Sequence, residues 1–63
     1  MTTPEVGDIC YYKGQDSPGH YLFLKYEGIA GIYEDEQRWI ALCLETGTTE
    51  KIFWWKEAFH KVA

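Results

Sequence analysis

The segment RWIALCLETGTTEKIFWWK, residues 38–56, contains two runs rich in aromatic and branched apolar residues on either side of a short turn. Such runs are typical of β-strands when glycine and other turn-forming residues bound them. Gly47 lies in the TGTT turn at 46–49, and glycine adopts a left-handed conformation without steric cost. The segment therefore predicts an antiparallel hairpin, with the third strand of the chain at 38–47 and the fourth at 50–56.

The sequence before this hairpin predicts two further strands. VGDICYYKG at 6–14 mixes β-branched and aromatic residues and ends at Gly14, and HYLFLKYEG at 20–28 places Leu22, Leu24 and Tyr26 on one parity and Tyr21, Phe23 and Lys25 on the other. The segment 15–20 between them contains Asp-Ser-Pro-Gly, which is strong turn chemistry. A longer connection, residues 29–37, leads from the second strand to the hairpin.

The sequence after the hairpin predicts a single turn and a last short strand. KEAFH at 56–60 is too short for a stable α-helix and fits one 3₁₀ turn, and KVA at 61–63 is a brief closing strand. Residues 1–5 are a short tail. Because no stretch has helical periodicity over 11 or more residues, we expect residues 1–63 to form one all-β domain.

The order of these elements resembles that of the SH3-like β-barrel superfamily. RWIALCLETG followed by KIFWWKEAFHKV is similar to its Trp-led third strand, distal hairpin, fourth strand, 3₁₀ turn and closing strand. The resemblance implies a small five-stranded SH3-like barrel with one 3₁₀ turn before the last strand. The ALYDY stretch, the tandem Trp of strand three and the Pro before the 3₁₀ turn, which SH3 domains use to bind proline-rich peptides, are not found.

Size and charge restrict the classes of function. A chain of 63 residues buries only ~60% of the surface that its unfolded form exposes. A hydrophobic content of 46% with 17% aromatic residues makes independent folding plausible and leaves self-association open. The net charge of −4 disfavours general binding to nucleic acid or to anionic membranes. No targeting signal or apolar span is found, so we expect a cytoplasmic protein without membrane contact.

Strand parity predicts which side chains fill the core. Leu22, Ile40 and Trp54 each belong to a set of alternating apolar residues on one of three adjacent strands. We expect these sets to face inward, and Val6, Ile9, Phe59 and Val62 to close the core. The predicted inward sets are Leu22 and Leu24, then Ile40, Leu42 and Leu44, then Ile52 and Trp54.

The opposite parity predicts a second apolar face. An antiparallel sheet with one solvated face normally carries polar residues there, yet here Ala41 and Cys43 form a small-residue floor between larger aromatic residues. An exposed apolar patch on a small protein marks an interaction site. Alternatively, the tail or the 29–37 connection covers this face and its role is structural. The predicted contact residues are Tyr21, Phe23, Trp39, Phe53 and Trp55.

No residue pattern predicts catalysis, a cofactor or a metal site. Zinc ligands usually occur in close pairs, whereas Cys10, His20, Cys43 and His60 are scattered, and the two cysteines are expected to be free and buried. Ser17, the single serine, lies in a turn without an evident activating base.

The sequence therefore predicts a non-enzymatic protein-interaction module. The acidic run Glu34, Asp35 and Glu36 is expected in a loop tip, where it would steer a basic partner surface. By size and charge the chain resembles small accessory proteins of bacteria and phages, some of which bind and inhibit a host protein. Two alternatives stay open: binding of single-stranded nucleic acid by aromatic stacking, with Lys25, Arg38 and Lys51 at the rim, and a structural homodimer.

Overall fold

The computed structural model describes residues 3–14, 18–29 and 36–63, and these contain five β-strands in one antiparallel sheet. The spatial order of the strands is β4-β3-β2-β1-β5. The predicted all-β fold is confirmed, and the described ranges hold no helix long and apolar enough to cross a membrane. The strands are β1 (Ile9–Tyr12), β2 (Gly19–Ile29), β3 (Glu36–Cys43), β4 (Thr48–Trp55) and β5 (Phe59–Lys61).

The sheet is open rather than closed into a barrel. Strands β4 and β5 are its two edges, and no backbone pairing joins them within the described ranges. The residues between them, 56–58, form a turn in which the Ala58 N–H donates to the Trp55 carbonyl at 3.1 Å. The predicted barrel closure and 3₁₀ turn are therefore not confirmed, and the last strand begins at Phe59, two residues earlier than expected.

The hairpin predicted from the 38–56 segment is confirmed. Strands β3 and β4 pair without a break from Glu36 opposite Trp55 to Cys43 opposite Thr48. Gly47 has a φ of 75°, as the turn requires, and its N–H donates to the Cys43 carbonyl at 2.8 Å. Strand β3 begins two residues before the predicted start, so the connection from β2 is shorter than expected.

The long strand β2 is irregular where it pairs with β3. The register shifts once between Phe23 and Lys25 and again between Tyr26 and Gly28. Such bulges bend a strand and increase its local twist. They also change which face the following residues take, so that Tyr26 lies directly across from Trp39.

The core lies on one face of this curled sheet and consists mainly of aromatic rings. Phe23 is fully buried and packs against Trp39, with ring centroids 5.1 Å apart, and against Phe59 at 5.8 Å. The small side chains of Ala41 and Cys43 on β3 leave room for these rings. The buried core comprises Cys10, Tyr21, Phe23, Trp39, Ala41, Cys43, Trp54, Ala58 and Phe59.

The predicted inward face is therefore wrong for β2 and β3, although Trp54 and Phe59 are buried as expected. Several predicted core residues lie on the outer face, where Leu24 is 40% and Leu44 is 45% exposed. Leu22, Ile40 and Leu42 are half-buried there, as is Ile9 on β1, whereas Val6 and Val62 are exposed.

Ring size and strand register explain this inversion. Both residue sets of β2 and β3 are apolar, and aromatic rings remove more surface from water than aliphatic side chains do. The register then decides which β4 residues share a face with the aromatic residues of β3, because side chains directly opposite each other lie on the same face. Ile52 lies across from Trp39, and Ile40 lies across from Lys51. Thus Ile52 and Trp54 belong with the aromatic set and not with the aliphatic one.

The chain ends add to the sheet outside the strands. Pro4 is buried, so the predicted tail at 1–5 is not simply solvated where the structure describes it. The Gly7 N–H donates to the Phe23 carbonyl at 2.8 Å, and the Ile9 N–H donates to the Ala63 carbonyl at 2.8 Å. Both segments thereby extend the pairing around β1.

Candidate functional site

An aromatic pocket of about 250 Å³ lies in the gap between β4 and the opposite edge of the sheet. We call it the seam groove. It is smaller than the ~300–1,000 Å³ typical of pockets that enclose small-molecule ligands, so it suits side chains of a larger partner. The lining residues are Tyr12, Tyr21, Ile52, Phe53, Trp55 and Phe59.

Strand β4 supplies the exposed wall of the seam groove. Phe53 is 61% exposed and Trp55 is 37% exposed, although both are large apolar residues. Trp55 remains partly anchored, because its ring makes an edge contact with Phe59 at 6.4 Å. An exposed aromatic side chain that is held in place loses little conformational freedom on binding, which favours affinity.

The opposite wall is fixed by packing against the core. The ring of Tyr12 lies 5.1 Å from that of Phe59 and 6.2 Å from that of Trp55. Gly14 allows this position, because the Tyr12 ring lies where a side chain at residue 14 would begin. Phe59 in turn contacts Phe23, so the wall is continuous with the buried rings.

Beside the seam groove runs the free edge of β4. This strand pairs with β3 on one side only, within the part of the chain that the structure describes. An unpaired edge presents alternating N–H and C=O groups that another extended chain can bind. Backbone hydrogen-bonding groups and an aromatic groove are therefore available side by side.

A second pocket, of about 270 Å³, lies next to the seam groove and shares Ile52 and Phe53 with it. We call it the basic pocket, since it contains the exposed cations Arg38 and Lys51. Its full lining is Glu27, Arg38, Trp39, Lys51, Ile52 and Phe53. The described part of the chain has two ion pairs between lysine and a carboxylate and one contact between His20 and Glu45, and neither cation takes part in any of them.

The structure separates the predicted contact residues into two groups. Tyr21, Phe23 and Trp39 are 6%, 0% and 3% exposed, so their predicted exposure is wrong, and Tyr21 reaches only the floor of the seam groove. They are buried because they form the aromatic core on the concave face. Phe53 and Trp55 are exposed, and their role in binding stays a prediction.

The predicted acidic rim is only partly within the described residues. Glu36 is the first residue of β3, half-buried and directly across from Trp55, so it does not lie in a loop tip. Glu34 and Asp35 lie outside the described residues. Sequence reasoning missed Tyr12, Ile52 and Phe59 as groove residues, because their meeting depends on how the sheet curls and not on strand alternation.

A polar cluster lies away from the groove, at the β3–β4 turn. The Glu45 carboxylate accepts hydrogen bonds from the His20 backbone N–H at 2.7 Å and contacts its ring Nδ1 at 2.6 Å. These bonds hold the pKa of Glu45 below its usual value. The cluster ties the start of β2 to the turn, and it is a structural anchor.

The two cysteines are free and buried, as predicted. Cys10 on β1 and Cys43 on β3 both lie opposite Tyr21, on either side of β2. Two strand spacings separate the cysteines by roughly 10 Å, which is too far for a disulfide. Burial raises the pKa of Cys10, whereas hydrogen bonding from Thr46 lowers that of Cys43. The Cys43 thiol donates to the Glu45 carboxylate at 3.9 Å. A nucleophilic cysteine is usually activated by a histidine base instead. Within the described ranges no group of three or more metal-ligating side chains lies together.

No protein-family model, curated protein or solved structure matches this chain. The seam groove and the adjoining edge of β4 combine exposed aromatic rings with backbone groups that have no strand partner in the described part of the chain. They form the candidate functional site.

Proposed function

We propose that this protein is a non-enzymatic protein-interaction module with an SH3-like fold, and that it binds an extended segment of a partner protein by strand addition. The segment pairs with the free edge of β4 and places side chains in the seam groove. The single observation that carries the proposal is an open aromatic groove beside β4, an edge strand that pairs on one side only in the described ranges.

The open sheet supports this mode of binding. In strand addition, main-chain hydrogen bonds provide affinity and alternate side chains provide specificity. The seam groove is bounded by β4 on one side and by β1 and β5 residues on the other. An added strand therefore covers the aromatic rings and pairs the edge at the same time. The long second strand, the β3–β4 hairpin and the short last strand support the SH3-like assignment.

Selection from a random octapeptide library against the full chain tests the proposal. We expect enriched peptides to bind at least tenfold more weakly to Phe53→Ala and Trp55→Ala, because buried aromatic anchors carry most of the energy of an interface. Leu24→Ala and Leu44→Ala are matched controls, since these side chains are similarly exposed but lie outside the groove. If the enriched peptides bind Phe53→Ala and Trp55→Ala as tightly as the unmodified chain, the seam groove is not the binding site.

Backbone pairing has its own test. N-methylation removes an amide donor without removing a side chain, and only alternate amides of an added strand face the edge. We expect methylation at one parity of a selected peptide to abolish binding and methylation at the other to be tolerated. Equal effects at both parities would contradict strand addition.

Two simple measurements test the other predicted partners, a second copy of the chain and single-stranded nucleic acid. A solution mass of twice the 7.4 kDa chain would assign the edge to a second copy. Binding of single-stranded oligonucleotides that weakens steeply with salt would favour nucleic acid. A cytoplasmic location and an accessory role in bacteria or phages stay predictions.

A further inference from the structure

We infer that the partner segment is acidic, with a carboxylate side chain that docks between Arg38 and Lys51 in the basic pocket. This inference rests on the proposed function and names the chemistry of its partner. It reverses the expectation from the sequence, which assigns a basic partner to a chain of net charge −4.

The local charge at the groove differs in sign from the net charge. The chain has ten carboxylate and six Lys or Arg side chains, yet Arg38 and Lys51 both line the pocket next to the exposed ring of Phe53. Charges within a few ångströms of a ligand act on it more strongly than distant ones, because salt screens interactions beyond ~8–10 Å. The basic pocket therefore decides which partner charge is favoured here.

Strand register explains why these two cations meet. Arg38 on β3 lies directly across from Phe53 on β4, and Lys51 lies two residues earlier on β4. Residues two apart on a strand share a face, as do residues directly opposite. Arg38, Lys51 and Phe53 consequently form one group, with two positive charges around an apolar ring.

Among the described residues, no carboxylate forms an ion pair with Arg38 or Lys51. Glu27 lines the basic pocket but lies 4.0 Å from Lys25, with which it forms an exposed ion pair. Glu36 lies opposite Trp55 and two residues before Arg38 on β3. Neither is within 4.0 Å of Arg38 or Lys51, since no such pair occurs in the described residues. A partner carboxylate supplies the missing opposite charge.

A peptide fits this charge arrangement better than a nucleic acid strand. Two cations balance one or two carboxylates, whereas single-stranded nucleic acid brings one phosphate with every nucleotide and needs cations along its whole path. The edge of β4 also offers backbone groups that pair with a peptide main chain.

The octapeptide selection described above also tests this inference, with charge composition as the readout. We expect peptides that depend on Phe53 and Trp55 to be enriched in Asp and Glu over the starting library. Selection against Arg38→Glu/Lys51→Glu should instead enrich Lys and Arg. The acidic peptides should bind Arg38→Gln/Lys51→Gln about three- to tenfold more weakly at low salt, a range set by the small energies of exposed ion pairs.

A matched control separates local charge from net charge. Lys13→Gln/Lys61→Gln has the same net charge as Arg38→Gln/Lys51→Gln but lacks changes in the basic pocket, and it should bind acidic peptides within twofold of the unmodified chain. Groove-dependent peptides that are neutral or basic overturn this inference and leave the proposed function intact. Absence of any groove-dependent peptide refutes both. A (dT)₁₂ oligonucleotide that competes through Arg38 and Lys51 more strongly than the acidic peptides assigns the pocket to nucleic acid instead.

Discussion

The two faces of the sheet are both apolar, but they differ in what they do. The concave face holds packed aromatic rings around Phe23, which is completely buried. The outer face holds aliphatic residues such as Leu24 and Leu44, which keep 40% and 45% of their surface exposed. Hydrophobicity alone therefore does not determine burial in a sheet this small. The larger rings occupy the enclosed side, and smaller aliphatic groups remain at the solvent side.

Alanine substitutions of neighbouring residues on the two faces should differ most in their effect on the free energy of unfolding at Phe23. Phe23→Ala leaves a cavity in the ring cluster and should cost about 3–5 kcal/mol, comparable to the entire stability of a domain of this size, ~3–5 kcal/mol. Leu22→Ala, one residue earlier on the outer face, should cost about 1 kcal/mol. Urea unfolding followed by circular dichroism measures both. Equal losses would contradict the assignment of the faces.

The two buried tryptophans sharpen the comparison within the concave face. Trp39 Nε1 donates to the Gln37 side chain at 2.8 Å, whereas Trp54 Nε1 is buried without a partner in the described part of the chain. Trp39→Phe removes a hydrogen bond, while Trp54→Phe removes an unsatisfied donor. We expect Trp39→Phe to cost roughly 1–2 kcal/mol more of the free energy of unfolding. A larger loss for Trp54→Phe would show that its N–H is paired in solution.

Phe53 is an exception to this comparison, because it is the most exposed aromatic side chain among the described residues. Phe53→Ala should change the free energy of unfolding by about 0.5 kcal/mol or less, in the range of surface substitutions. Its urea midpoint should therefore match that of Leu44→Ala. A loss close to that of Phe23→Ala would place the Phe53 ring in the core and remove the outer wall of the seam groove.

The smallest expected effect is a dependence on pH at the β3–β4 turn. Hydrogen bonds from His20 lower the pKa of Glu45 below its usual 4.5 in the folded chain, so the unfolded chain binds more protons at low pH. This contribution is present above pH 4.5 and is lost as the pH falls below it. The urea midpoint should drop less on acidification in Glu45→Gln than in the unmodified chain. Glu57→Gln, in the turn before β5, serves as the control and should behave like the unmodified chain.

The hairpin and the strand sequence were predictable because they depend on local signals. Gly47 marks the turn, and runs of branched and aromatic residues mark the strands on either side. The inward face was not predictable from alternation, since both residue sets of β2 and β3 are apolar. It depends on Ile52 pairing with Trp39 and on the register shift after Phe23, and both are non-local.

The candidate site divides in the same way. Phe53 and Trp55 were predicted as exposed aromatics because three consecutive aromatic residues cannot all face one core. Tyr12 and Phe59 reach the groove only because the curled sheet brings its two edges towards each other. The positive pocket was also hidden, since Arg38 and Lys51 are thirteen positions apart in a chain with excess negative charge.

The edge of β4 also favours self-association of the unbound protein at high concentration. A strand that accepts a foreign backbone accepts a copy of itself by the same hydrogen bonds, and exposed edges are common starting points for aggregation. Glu50 and Lys51 lie in the middle of β4, so a register that places either residue opposite its own copy is disfavoured, because like charges then meet. Solubility and recognition are thus governed by one strand, so a variant improved in either property should be assayed for the other.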